Sequence, residues 1–155
     1  MSRVDYWRDP GAPKPTSRKP SASVFVTDDA GAILLLRRTD NGLWTIPTGG
    51  LKKGETISQC AVRECEEETG LRVEITGLVG VFSTPDHVIA YGDGEVRQPV
   101  NVCLRATVTG GHARPTREAS EVRWVPPGDI GSYDIHPALT RRIRHGIDSA
   151  VPHID

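Results

Sequence analysis

Between Gly49 and Leu71 the chain reads GGLKKGETISQCAVRECEEETGL, with Glu64, Glu66, Glu67 and Glu68 following directly on Arg63. On a helix, Glu64 and Glu68 stand one turn apart and Glu67 lies three residues on from Glu64, so these three project to one side. Ile57, Cys60 and Ala61 share much of that side. As pure structure the arrangement is unfavourable. Glutamates four apart repel by about 0.2–0.5 kcal/mol per pair, and acids in a last turn oppose the helix dipole. Carboxylates bordering an apolar stripe need a positive partner, because burying unpaired charge is costly. A hard divalent cation held by oxygens supplies one, and Mg²⁺ is the first candidate. Glu66 points away and is expected to be dispensable.

The same stretch resembles the signature of the Nudix hydrolases, Gly-x5-Glu-x7-Arg-Glu-U-x-Glu-Glu-x-Gly-U, where U is a bulky aliphatic residue. The match runs through Gly49, Glu55, Arg63, Glu64, Glu67, Glu68 and Gly70, with Cys65 at the first U and Leu71 at the second. At a typical usage of roughly 7% per residue type, seven fixed letters at fixed spacing would arise about once in 10⁸ starting points. Cys65 is smaller than the usual aliphatic residue, a matter of packing. Lys52 stands where many members carry an acid.

The resemblance implies a metal-dependent hydrolase that cleaves the pyrophosphate linkage of a nucleoside diphosphate derivative, with Mg²⁺ as cofactor and Mn²⁺ as a substitute. It implies metal ligands at Glu64, Glu67 and Glu68, joined by the Gly49 carbonyl, with Arg63 holding the acids and Glu55 beside them. Relatives differ in their general base. Some use the position of Glu64, others an acid on a later loop, for which Asp93, Glu95, Glu118 and Glu121 are candidates. Candidate substrates are ADP-ribose-like compounds and (deoxy)nucleoside triphosphates, normal or oxidised. Pro85 lies near the proline of an ADP-ribose sub-pattern, out of clean register, and Tyr91 lies too far on for the tyrosine of dinucleoside polyphosphate enzymes. Two alternatives stand beside this reading: a nucleotide-sensing module that lost turnover, and an RNA 5′-end pyrophosphohydrolase. The complete acid set argues against the first and the near-neutral charge against the second.

The elements that must position these residues follow in chain order. Residues 1–22 carry Pro10, Pro13, Pro15 and Pro20 and read as an extended arm, either a tail or a segment docking through Tyr6 and Trp7 on its own or a neighbouring subunit. Residues 23–150 read as one hydrolase domain. Ser21–Thr27 alternates as a strand, and Ile33–Leu36 is an apolar run suited to a strand covered on both faces. Arg37 and Arg38 close that strand, and one of them is a candidate for substrate phosphate. Trp44 is expected in the core, with base stacking as the alternative. Thr56 and Gln59 form a capping box and Gly70 a helix stop. Leu71–Ser83, Val88–Tyr91, Glu95–Ala106 and Glu121–Val125 read as further strands, with Pro99 marking a bulge or edge. The Gly92-Asp93-Gly94 turn would place His87, Tyr91 and Arg97 over the site, Arg97 as a substrate contact. A last helix, residues 137–149, shows Leu139, Ile143 and Ile147 at helical spacing, with Arg141, Arg142, Arg144 and His145 as a solvated face.

Strands before, between and after two separated helices predict an α/β fold. The resemblance refines this to an α/β/α sandwich with a central mixed β-sheet. With 155 residues and a formal net charge of −1, no global field draws the chain to DNA or anionic lipid. No apolar run reaches membrane-spanning length. Cys60, Cys65 and Cys103 form no C-x-x-C pair, which favours reduced thiols in a cytoplasm. The expected partner is a small nucleotide, and a homodimer is expected by analogy with relatives.

Overall fold

The computed structural model describes residues 2–155. In chain order the elements are β1 (Arg3–Trp7), β2 (Ser17–Val26), β3 (Ile33–Arg38), β4 (Trp44–Thr45), β5 (Thr48–Gly50), α1 (Ile57–Thr69), β6 (Leu71–Phe82), β7 (His87–Tyr91), β8 (Val96–Gly111) and β9 (Ala119–Val125). A 3₁₀ turn (Pro127–Ser132), α2 (Pro137–Asp148) and β10 (His153–Ile154) complete the chain. The architecture is α/β, with a mixed central sheet between two helices. Strands run β1-β7-β8-β2-β5 across it, and β6 pairs with the far half of β8. The β2–β8 pair is parallel and the β8–β6 pair antiparallel. A smaller sheet, β4-β3-β9, packs beside it.

Strand alternation sorts the core into two layers. From β2, Val24 and Val26 face α1, where they meet Cys60, Ala61 and Cys65; Phe25 faces α2, with Leu139 and Ile143. The Ile33–Leu36 run divides likewise, Leu34 to the α1 side and Ile33 and Leu35 to the α2 side. Trp44 sits in the α2 layer against Tyr133, so it is a core residue. Pro99 falls between the last β7 pair at Arg97 and the first β6 pair at Asn101, where its missing amide is not needed. The register shifts lie along β6 instead.

Two regions differ from the sequence reading. Within the stretch expected as an arm, β2 begins at Ser17 and Arg3–Trp7 pairs with His87–Tyr91, so both join the central sheet. Trp7 anchors the first strand edge-on to His87 and His136, which is the docking alternative for this stretch and not the tail. A solvated face for α2 is also incorrect at one position: Arg142 is 4% exposed. Gly146, four residues on, explains why. A Cβ there would lie 2.8 Å from the Phe25 ring, so its absence lets α2 close onto the sheet and takes Arg142 inward.

Candidate active site

Local sequence sets the position of α1. Thr56 accepts from the Gln59 amide while the Gln59 side chain accepts from the Thr56 amide, and Gly70 caps the other end in the left-handed conformation. β5 adds to β2 through Ala22 opposite Gly49 and Ser21 opposite Gly50, which brings the glycines beside the helix. Glu64 occupies the space a Cβ on residue 49 would need, so glycine is required there by close approach.

Arg63 is the hub of the cluster. Its Nη1 donates to Glu64 at 2.7 Å and to Glu67 at 3.1 Å; its Nε and Nη2 grip Glu55, and Nη2 also reaches the Gly50 carbonyl. The Arg63 guanidinium and then the Lys52 amide hold the Glu55 carboxyl down at about 2. The Glu55 bond in turn raises Arg63 further above its ordinary value. These are charge-assisted bonds that fix one geometry.

Behind them lies Glu68, 2% exposed, with Glu64 at 9%. Glu68 accepts from the Thr48 amide at 3.2 Å. Burial, then the adjacent Glu64, pushes its carboxyl well above the usual range. Carboxylate oxygens of Glu64, Glu68 and Glu118 lie within 4.8 Å of one another. Two buried acids and a third converging on one point, with a carbonyl-rich turn beside them, fit a hard divalent ion bound through oxygen. Glu67 is half-exposed and turned to Arg63, outside that closest trio. Glu66 is exposed on the opposite side, as expected.

Glu118, one of four later acids with equal claim on sequence alone, reaches the trio through its loop. The Arg114 amide donates to the Thr69 carbonyl, and Thr116 Oγ1 to the Glu68 carbonyl, clamping residues 112–118 onto the end of α1. The same bonds satisfy helix carbonyls that would otherwise lack partners. No sequence spacing marks this contact.

The acids open on a cleft of about 490 Å³ whose lining includes Arg38, Lys52, Arg97, Arg3 and Arg142 together with His87 and Tyr91. Arg38 faces it, held bidentately by Asp40. Arg97 faces it too, stacked on Tyr91 and paired with Glu95. Arg37 does not, because the next residue along a strand points to the opposite side. It binds the Gly42 carbonyl and Glu121 instead, which removes it from the candidate phosphate contacts. Glu121 and Glu95 are thereby engaged away from the acidic trio.

His87, Tyr91 and Arg97 line the cleft, as the hairpin reading allowed, but the part that β1 contributes was not legible in the sequence. The β1–β7 register pairs Arg3 with Tyr91, Asp5 with Ile89 and Trp7 with His87, so alternate residues of both strands share one face. Asp5 accepts from Arg3 and contacts His87 Nε2 at 3.0 Å. Burial works against its charge, but these partners hold its carboxyl far below the ordinary range.

Comparison with known proteins bears on the same residues. A model of the NUDIX domain family matches residues 17–145. A MutT-like protein of Streptomyces ambofaciens is 34% identical over 133 residues, spanning 86% of this chain and 79% of that protein. The nucleoside triphosphatase NudI of Escherichia coli is 28% identical over 122 residues, 74% of this chain and 86% of its own. The crystal structure of an ADP-ribose pyrophosphatase from Streptococcus suis shares the fold with a TM-score of 0.69 at 19% identity, covering 88% of this chain and 98% of that one.

Proposed function

Since the chain belongs to the Nudix family of pyrophosphohydrolases, we propose that it cleaves the pyrophosphate linkage of a nucleoside diphosphate derivative, either ADP-ribose-like or a (deoxy)nucleoside triphosphate, normal or oxidised. The observation that carries this is the buried Glu64–Glu68 pair, joined by Glu118, at the mouth of an arginine-walled cleft. Mg²⁺, or Mn²⁺ in its place, would be held by Glu64 and Glu68, with Glu67 and the Gly49 carbonyl as further oxygens. When bound, such an ion would supply charge to offset phosphate oxygens and to make water a better nucleophile at neutral pH.

The chain's own residues do the rest. Arg63 fixes Glu55, Glu64 and Glu67 before substrate arrives, so no reorganisation is needed at the moment of reaction. Glu118, whose carboxylate makes no side-chain hydrogen bond among the described residues, is free to take the proton of the attacking water. Arg38 and Arg97, already oriented by Asp40 and Glu95, present planar donors to phosphate oxygens. No helix is long and apolar enough to cross a membrane, and the three cysteines are free and buried, which suits action in a reducing cytoplasm.

The test is a phosphate-release screen with Mg²⁺ or Mn²⁺, using Glu68→Gln as blank. It covers ADP-ribose, NADH, dinucleoside polyphosphates, and normal and oxidised nucleoside triphosphates. Turnover of one class far above the blank supports the reading. Rates equal to the blank on every compound overturn it and favour a sensor.

A further inference from the structure

We propose that Arg142, with Arg3, forms a second anion subsite at the α2 end of the cleft that takes a substrate phosphate beyond the two joined by the cleaved linkage. The inference rests on the hydrolase reading above and narrows its substrate class to nucleotides with a third phosphate.

Arg142 is the buried cation of the cleft, and it has no partner in the fold. Arg38 has Asp40, Arg97 has Glu95, Arg3 has Asp5, and Arg63 has three glutamates. Arg142 has no hydrogen bond or ion pair among the described residues, and its buried Nε is left without a partner. The Phe82 ring lies 5.8 Å from the guanidinium carbon. Burial lowers its pKa to about 10, so it remains a cation at neutral pH. An unpaired buried charge is a standing cost that folding alone does not repay. Gly146 is what allows α2 to sit close enough to impose that cost. The guanidinium lines the same cleft as Glu64 and Glu67, so it faces the volume a substrate must fill.

The surroundings select an anion. Asp5, His87 and His136 place ligand atoms within 4.8 Å of one another, a spacing a metal could use. Arg3 already occupies both Asp5 oxygens, however, and Arg142 adds positive charge beside both imidazoles. His136 Nδ1 is further committed to the Ala138 amide. A cation entering here meets two arginines. A phosphate group meets the open fork of Arg142 and the remaining donors of Arg3, whose Nε and Nη2 are the atoms bound to Asp5. A ribose or a base offers hydrogen-bond acceptors but no negative charge to neutralise the buried Arg142 cation.

The experiment uses the full chain and the Arg142→Met and Arg142→Lys variants. With Mg²⁺, kcat/KM is measured for a nucleoside triphosphate and for ADP-ribose. With EDTA present, inorganic phosphate is titrated calorimetrically, and thermal melting is followed for each protein. Arg142→Met is expected to lose at least about tenfold more kcat/KM on the triphosphate than on ADP-ribose, mainly in KM, the scale of one charge-assisted contact. Arg142→Lys recovers part of this. Phosphate affinity of the metal-free chain falls about tenfold in Arg142→Met, while its Tm stays level or rises because an uncompensated charge has gone. Equal losses on both substrates overturn the proposal, as does a lower Tm with phosphate affinity unchanged, which would mark a structural arginine. Absence of phosphate binding to the wild-type chain also overturns it. If neither compound is hydrolysed the activity reading fails, and the phosphate titration still decides the role of Arg142.

Discussion

At the α1 end of the cleft every ion pair is local: Arg63 reaches Glu55 eight residues back, and Glu64 and Glu67 one and four residues on. At the β1–β7 end Arg3–Asp5 and Arg97–Glu95 are local too, but the contacts that tie the strands together are distant. His87 meets Asp5 across 82 residues, and Ser17 meets Glu95 across 78. The first end carries more acid than its arginine can neutralise, and the second carries an arginine that no acid neutralises. Local pairs leave a fixed spacing that can be read along the chain. Distant pairs exist only once strands register, so they leave none. The two imbalances also face one space, where a polyanion with its metal ion would cancel both.

The largest effect that can break this contrast lies at the acidic end. Glu68→Gln is expected to lower turnover by at least about 10²-fold while circular dichroism stays unchanged, the scale for losing a key electrostatic group. Near-normal turnover in a folded variant would remove Glu68 from the site. Next, Gly49→Ala forces the Glu64 carboxylate aside. Steady-state kinetics should show a loss on the order of 10-fold to 10²-fold, as for a misplacement of about 1 Å.

At the other end the leading effect is on stability. Asp5→Ala leaves Arg3 and His87 facing each other without their shared acid. Urea unfolding should record a loss of roughly 3 kcal/mol. A change below about 0.5 kcal/mol, typical of surface positions, would mean that β1 is a loosely held tail after all.

A pH measurement sharpens the same point. Burial lowers the pKa values of His87 and His136 below 6.5. The folded chain therefore binds fewer protons there than the unfolded chain. The stability their neutral rings contribute is complete above 6.5 and drains as pH falls through the lowered values. Thermal melting should weaken on acidification below 6.5, and the His87→Gln/His136→Gln pair should flatten that slope. The smallest effect belongs to Glu66→Gln, which should leave both turnover and Tm unchanged because the side chain is solvated.

The legible parts of this molecule are those whose physics is short-range. Thr56 and Gln59 cap α1 as their spacing predicts, Gly70 ends it, and the Ile33–Leu36 run is covered on both faces. Of the signature acids, Glu64 and Glu68 converge, while Glu55 and Glu67 turn to Arg63. What could not be read depended on tertiary closure. A proline-bearing segment could be read only as an extended arm, tail or docked, because its hydrogen bonds go to strands some 80 residues away. Glu118 had no spacing to single it out, since its loop is held by helix carbonyls. Arg142 looked solvated among its charged neighbours. The available signal was Gly146 four residues on, a small residue on the same helix face that marks close packing. Arg37 and Arg38 differed only by strand alternation, which the sequence supplies once the facing side is known.

The most direct measurement of the central claim is a calorimetric titration of Mn²⁺ into the metal-free full chain and into Glu64→Gln/Glu68→Gln, with folding confirmed by circular dichroism. The wild-type chain is expected to bind the ion and the double variant to bind it at least about tenfold more weakly, as expected when charged oxygen ligands are lost. Equal affinity in the two proteins would contradict the account, because the buried acids would then not be what holds the metal.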